Sequence, residues 1–516
     1  MNNVENYQVK TAIISVSDKT GIIEFAKNLN ELGIAIYSTG GTEKSLRDAN
    51  IPVKSISEIT NFPEGFDGRV KTLHPAIHSG LLAQLDNPEH LAQLANFGFN
   101  SIDLLVVNLY PFEQKLNTPG VPHEELVENI DIGGPTMLRS AAKNYRWTAP
   151  IINPKRYDQI IDILKNNNLC IPEKIREELA GEVFQETAYY DSLIAGYFNK
   201  YNNITSADKF TIPMKLDQPL RYGENPHQDA ALYGNFTSIF GQLHGKELSY
   251  NNIIDVNGAV DLIAEFDKTT VAIIKHTNPC GVGTDDNILE AWRKAFATDK
   301  DSPFGGIIAM NGELTLDLAK EIDEIFTEVL IAPSFSQDAL DLLKKKKNRR
   351  LLTVDFNKFK QLRSNDIKSV SGGYLVQSHD NALIDGELQV ATERTPTDDE
   401  KDAMLFGWKV AKHVKSNAIV YVAKDRTLAI GAGQMSRVDS SRIAVEKAKL
   451  MGNSLEGSVV ASDAFFPFAD GLLQAVEAGA VAVIQPGGSV RDQEVINAAN
   501  KHNVAMVFTN MRHFKH

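Results

Sequence analysis

The stretch TAIISVSDKTGIIEFAKNLNELGIAIYSTGGT, residues 11–42, decides the fold class. TAIISV (11–16) is a short apolar run of strand length. After it, Ile22, Phe25, Ala26, Leu29 and Leu32 recur at helical spacing, with Gly33 placed as a C-cap. IAIYS (34–38) is a second strand, and TGGT turns into another helix. Strand, helix, strand in this order calls for parallel pairing with a right-handed crossover. The fold class is therefore α/β.

The same rhythm extends along the chain. IDLLVVNLY (102–110) is a further buried strand, and helical patterns resume at about 136–145 and 173–200. NKYNNITSADKF (199–210) is polar and aperiodic, a candidate linker. Beyond it, TVAIIKH (270–276) and FGGIIAMN (304–311) are strands around the helix ILEAWRKAFATD. NAIVYVAKD, TLAIGAG, SVVASDAFFPF, AVAVIQPGG and VAMVFTN supply later strands. The two halves of 211–516 share this rhythm, but in letters only SPFGG and FFPFADG resemble each other.

A chain of 516 residues is too long for one core, so two to four domains are expected. Its 53 basic and 66 acidic residues give a net charge of -13, which excludes a global basic field for nucleic acid. Any anionic small substrate must be met by locally gathered positive groups. Two cysteines, Cys170 and Cys280, cannot build a disulfide framework or a multi-cysteine zinc site, and they favour a reducing compartment. The opening MNNVENYQVKTAIISV lacks the pattern of a signal peptide, and no apolar run approaches the roughly 20 residues of a membrane helix. A cytoplasmic location is expected, with no membrane or nucleic-acid partner.

Several motifs carry candidate chemistry. SVSDKTG (15–21) and STGGT (38–42) both stand where a strand hands over to a helix, where free amides bind anions. Two plain N-caps are the simpler reading. FDGRVKTLHPAIHSG (66–80) gathers Arg69, Lys71, His74 and His78; the two histidines are spaced as a metal pair, but Pro75 intervenes and no third ligand is near. A basic loop holding phosphate fits better. In NIDIGGPTMLRSAAKN (129–144), Thr136, Arg139, Ser140 and Lys143 form one polar stripe, either a solvated face or the wall of an anionic pocket. KKKKNRR (344–350) reads as a solvated loop or helix end. SDAFFPFADG (462–471) offers aromatics for stacking or a core edge.

IKHTNPCG (274–281) echoes the Pro-Cys loop of zinc deaminases. His276 is followed by Thr277 and Asn278, so the catalytic Glu of H-x-E is missing, as is a second cysteine after Cys280. Lys275 and His276 remain, suited to oxyanion stabilisation and proton transfer, provided a bent strand end lets both reach one pocket.

Taken together, SVSDKTG, STGGT, DGRVKTLHP, NLYPF, IDIGGPTMLRSAAKN, RYGENPHQ, LSYNN, IKHTNPCG, GAGQMSR, SDAFFPF and TNMRHFKH resemble, in order over nearly the whole chain, the bifunctional AICAR transformylase/IMP cyclohydrolase family of purine biosynthesis. The resemblance implies a methylglyoxal-synthase-like cyclohydrolase domain over 1–200 and a transformylase over 207–516. The latter would comprise two zinc-free, cytidine-deaminase-like α/β subdomains, roughly 207–370 and 371–516. It implies 10-formyltetrahydrofolate as cosubstrate, no catalytic metal, and a homodimer with transformylase sites at the interface.

Carried over by position, the cyclohydrolase site would use Ser17, Asp18, Lys19, Thr39, Gly40, Gly41, Thr42, Arg69, Val70, Lys71, Thr72, Val107, Asn108 and Ile132 to bind the nucleotide. Lys143 would transfer protons, assisted by Tyr110 and Asp131. In the transformylase, AICAR would meet Arg221, Tyr222, His276, Gly305, Asn417 and Arg437, and also Glu328, where family members often carry Asp. Folate would meet Val438, Phe465, Asp470, Ser489, Val490 and Arg512. Lys275 would steady the oxyanion and His276 would take the proton. Two other readings stand beside this one: a zinc-dependent nucleobase deaminase, and a purine-nucleotide-binding regulator with decayed catalysis.

Overall fold

A computed structural model describes residues 7–62, 66, 70–362 and 365–516. Arg69 lies outside the described residues. The chain divides into two units, 1–214 and 215–516.

In the first unit, β1 (Thr11–Val16), β2 (Ala35–Ser38), β3 (Lys54–Ser55), β4 (Leu104–Asn108) and β5 (Ala149–Ile151) form one sheet of order β3-β2-β1-β4-β5, parallel throughout. Successive side chains of a strand point to opposite faces, so a doubly covered parallel sheet needs continuous apolar runs. Ile14 and Val106 pack with the helices Ile22–Glu31 and Tyr157–Asn166, whereas Ile13, Leu105 and Val107 pack with Pro75–Leu82 and Gly133–Lys143 on the other face. Each fully buried aliphatic side chain contributes roughly 1.5–3 kcal/mol. The helix Glu173–Tyr201 takes up the first three residues of the expected linker; 202–215 carry no helix or strand.

The second unit holds a ribbon of β6 (Leu216–Leu220) and β7 (Ala230–Tyr233), then β8 (Phe240–His244), β9 (Thr270–Lys275), β10 (Asn278–Thr284), β11 (Gly306–Met310), β12 (Thr327–Ala332) and β13 (Arg350–Val354). A second ribbon, β14 (Asp366–Val370) and β15 (Gly373–Gln377), precedes β16 (Gln389–Val390), β17 (Ile419–Ala423), β18 (Arg426–Gly431), β19 (Ser458–Ser462), β20 (Ala480–Gln485) and β21 (Ala505–Phe508). Outside the ribbons, twelve strands form one sheet of order β16-β21-β20-β19-β17-β18-β10-β9-β11-β12-β13-β8.

This order is a repeat. In the first half, the hairpin β9–β10 lies beside β11, which runs antiparallel to β9 and parallel to β12 and β13; β8 closes the edge antiparallel. The second half repeats every step with β17–β18, β19, β20, β21 and β16. The halves meet where β10 pairs with β18, at Gly283 and Arg426. The duplication therefore lies in topology. The letters suggesting it do not mark it: SPFGG precedes β11, whereas FFPFADG follows the equivalent strand β19. One sheet face carries a single core spanning both halves, including Val256, Ile274, Trp408 and Val420. The other face carries two cores, one per half. No helix of the described residues is long and apolar enough to cross a membrane.

Candidate active sites

At the ends of β1, β2 and β4, the first unit opens a cleft of about 600 Å³ lined by Ser17, Lys19, Thr39, Gly41, Thr42, Lys71, Thr72, Val107, Asn108, Tyr110, Asp131 and Ile132, among others. The loop after β1 is held by Asn108, whose Oδ1 accepts the amides of Ser17 and Asp18 and whose Nδ2 donates to the Asp18 carbonyl. Thr20 donates to Asp18, which keeps that carboxyl below its usual range. Thr42 Oγ1 donates to the Val16 carbonyl at 2.9 Å and accepts Lys19 Nζ at 3.1 Å. Partial burial pushes the Lys19 ammonium down.

The helix Gly40–Asp48 starts after the extended Thr39 without a side-chain cap, so its first amides are open to an anion. Gly40 has φ 41°, and a Cβ there would lie 3.0 Å from Lys71 Nζ. Backbone and ammonium thus meet because Gly40 has no side chain. Opposite, Gly134 donates to Asp131 Oδ1 at 2.9 Å, and Asp131 donates its own amide to Tyr190. Burial pushes the Asp131 carboxyl up, opposed by the amides of Gly134 and Tyr110 and by the Lys71 charge. Burial also raises the Tyr110 phenol, and Asp131 adds to it.

Several candidate residues of this unit stand outside the cleft lining. Lys143 is the last residue of the helix Gly133–Lys143, exposed and outside the cleft lining. The helical rise puts it about 15 Å along the axis from Gly133. Nor does the rest of its stripe line the cleft: Ser140 bonds His78 Nδ1 at 3.0 Å, and Arg139 lies over the Phe184 ring. It is the glycine-rich start of this helix that faces the cleft. His74 is an N-cap accepting the Ala76 amide. Val70 opens the turn into Lys71 and Thr72.

In the second unit, strand direction brings the remaining candidates to one edge of the large sheet. β9 ends there at Lys275, and β11, β12 and β13 begin there near Gly305, Glu328 and Arg350. β17 begins there after Asn417, and β18 ends there before Arg437 and Val438. β19, β20 and β21 end there before Phe465 and Asp470, Ser489 and Val490, and Arg512.

The edge is knitted by side chains. Lys275 Nζ donates to the Phe304 carbonyl at 2.9 Å, and Gly305 (φ 73°) donates to the Phe326 carbonyl. Asn252 Nδ2 donates to Glu328 Oε2 at 2.9 Å, and Arg350 Nη1 stands 3.9 Å from the same oxygen. Burial lowers the Arg350 guanidinium, opposed by the Glu328 charge and reinforced by that of Arg221. Arg221 lies over the Tyr222 ring. Asn278 Oδ1 accepts the Lys415 amide at 3.0 Å, tying the Pro-Cys loop to the loop bearing Asn417. Asn417 bonds the Gln434 carbonyl, and Arg437 pairs with the fully buried Asp463 at 3.2 Å.

KKKKNRR divides: residues 344–348 are an exposed helix end, as expected, whereas Arg349 is buried against Asp323 and Arg350 opens β13. Asn252 is not among the sequence candidates; its place in the capping box of Ser249 is the signal that could have found it. SDAFFPF divides, with Phe466 in the core and Phe468 exposed. Cys280 packs in a core cluster. Among the described residues, no three His, Cys, Asp or Glu side chains come together as metal ligands, so a deaminase zinc does not fit here.

A model described as "AICARFT/IMPCHase bienzyme" matches residues 141–447, and one described as "MGS-like domain" matches 21–136. A protein named bifunctional purine biosynthesis protein PurH from Chloroflexus aurantiacus is 54% identical over 516 residues, covering 99% of each chain. Its namesakes from Chlorobium phaeobacteroides and Chlorobaculum parvum are each 52% identical, over 98% of this chain and 99% of theirs. The resemblance read from the motifs thus holds along the whole length, and the chain belongs to the AICARFT/IMPCHase bienzyme family.

Proposed function

We infer that the chain transfers a formyl group from 10-formyltetrahydrofolate to AICAR and then closes formyl-AICAR to IMP. The observation that carries this is whole-length membership of a bienzyme family, with a candidate site in each unit. Ring closure belongs to residues 1–200 and formyl transfer to 207–516, the latter in two subdomains of deaminase-like order.

In the first unit, the open amides at Gly40 and Gly41, with Ser17 and Lys19, suit the 5′-phosphate. In ring closure the carboxamide nitrogen attacks the formyl carbon. That nitrogen and the formamido nitrogen each give up one proton, and the formyl oxygen leaves as water. Holding the reacting groups in contact supplies much of the rate. Asp131, Tyr110 and Lys71 are the cleft's proton-handling groups; Asp131, raised by burial, is the natural acceptor and Tyr110 the donor.

In the second unit, the AICAR amine attacks the formyl carbon, Lys275 steadies the oxyanion, His276 takes the amine proton, and tetrahydrofolate leaves as N10 regains a proton. Preorganised charge of this kind is worth roughly 3–4 kcal/mol. Glu328 on β12 and Ser489 by β20 are seven strand spacings apart, roughly 33 Å at about 4.8 Å each. No single AICAR–folate pair spans that distance, which supports a homodimer whose second copy completes each transformylase site. A cytoplasmic location accords with this reading.

Supplying AICAR and 10-formyltetrahydrofolate should yield IMP; a folded chain producing neither formyl-AICAR nor IMP refutes the reading. Mixing inactive His276→Ala and Arg512→Ala chains should restore formyl transfer through hybrid dimers, and no recovery would refute the shared site.

A further inference from the structure

The hairpin between β9 and β10 turns through His276 (φ 51°) and Thr277 (φ 61°), both left-handed. A two-residue turn with positive φ at both positions favours Asn, Asp or Gly there, and a β-branched threonine is out of place. The fold itself does not demand this shape. In the equivalent hairpin of the second half, Lys424 and Asp425 between β17 and β18 have no positive φ.

What holds the first turn is a carboxylate on the helix Tyr250–Ile263. Asp255 Oδ1 accepts the Thr277 amide at 2.7 Å, and the His276 amide bonds the same carboxylate. One turn farther along that helix, a Cβ on Gly258 would lie 3.7 Å from Thr277 Cβ, so the threonine rests against the helix where no side chain intervenes. One turn earlier, Asn252 holds Glu328. A single helix face thus supports both the turn and the acid across from it. Burial pushes the Asp255 carboxyl up, and the two amides and the neighbouring His276 oppose it.

We propose that Asp255 is a positioning residue for formyl transfer: it pins the left-handed His276–Thr277 turn and so aims the His276 imidazole, with Lys275 on the strand end beside it. This rests on His276 being the proton acceptor. Among the described residues, the hydrogen bonds Asp255 accepts come from backbone amides of the turn, so its removal should cost turnover more than binding.

The test uses the full chain with Asp255→Ala, Asp255→Asn, and Asp255→Ala combined with Thr277→Gly. Readouts are kcat and KM for AICAR in formyl transfer, ring closure of added formyl-AICAR, and thermal melting. Asp255→Ala should lower kcat about 30–100-fold, since a displacement of about 1 Å has that cost. Its KM should stay within about threefold and ring closure within about twofold. Asp255→Asn keeps an acceptor oxygen and should stay within about fivefold of the parent. Thr277→Gly should restore at least about threefold, because glycine enters the left-handed region freely.

A folded Asp255→Ala chain with kcat within twofold of the parent overturns the proposal, as does a loss confined to KM. Equal losses in the Ala and Asn variants overturn it too, by making charge rather than the clamp the cause. If the Ala variant does not fold, the Asn variant decides, and a loss as large as that of His276→Ala overturns the clamp. A His276→Ala chain as active as the parent refutes instead the role on which the proposal rests.

Discussion

Replacing Arg437 by alanine should destabilise the second unit through a buried carboxylate. Asp463 is fully buried, and the Arg437 side chain is only 12% exposed, 3.2 Å away. The other side-chain donor to Asp463 is Ser416 Oγ. Removing one partner of a buried ion pair leaves the other charge uncompensated, at about 3–5 kcal/mol. For a unit of about 300 residues, an unfolding entropy of ~2.1 cal/mol/K per residue converts this to a fall of roughly 5–8 °C in Tm. Calorimetry on the full chain gives the readout, with ring closure, proposed for the first unit, as an internal control. Adding Asp463→Asn to Arg437→Ala should recover at least half the loss, because the neutral amide still accepts from Ser416. Formyl transfer should stay low in both variants, Arg437 being a proposed AICAR contact. An Arg437→Ala chain that melts within 1 °C of the parent, or one that Asp463→Asn fails to rescue, would refute the buried-charge argument.

Lys71→Ala should slow ring closure at least about tenfold more than Lys143→Ala, because only Lys71 reaches the cleft; single-turnover conversion of formyl-AICAR measures both. Gly133→Ala would place a Cβ 2.3 Å from Thr72 Oγ1, an overpacking cost of about 1–3 kcal/mol, whereas Gly41→Ala meets nothing within 4 Å. Denaturant unfolding should separate the pair. Burial alone would raise the Glu265 carboxyl, but the bonds and charges of His413 and Lys412 outweigh it and hold it at about 2. At neutral pH burial keeps His413 uncharged, so Lys412, 2.8 Å away, is the partner. The folded value lies below the unfolded one, near 4.3. The stabilisation is therefore full above that value and is lost as pH falls toward 2. Glu265→Gln should lower stability at pH 7 and flatten its decline between pH 5 and 2, as read by urea midpoints.

The alternation of apolar strands and amphipathic helices was legible because periodicity is local: Ile13 and Ile14 face opposite cores as neighbours on any strand must. Capping glycines and the strand-to-helix loops after β1 and β2 were legible for the same reason. Distances were not. The resemblance pairs Lys143 with Asp131 by position, yet the helix between them sets them apart by its rise. Arg350 looked solvated because it ends a basic run, yet it opens a buried strand.

By itself, the amino-acid sequence determined the α/β class, the family and the residue types able to handle protons and oxyanions. These follow from spacing along the chain and from motif order. Tertiary structure decided which of those residues share a site. Strand order and direction, set by pairing between segments more than a hundred residues apart, carry Lys275, Asn417 and Arg512 to one sheet edge and leave Lys143 outside the cleft. Only side-chain contacts across that edge disclosed Asp255 beneath the turn, since a hydrogen bond to a backbone amide leaves no mark in the spacing of residues.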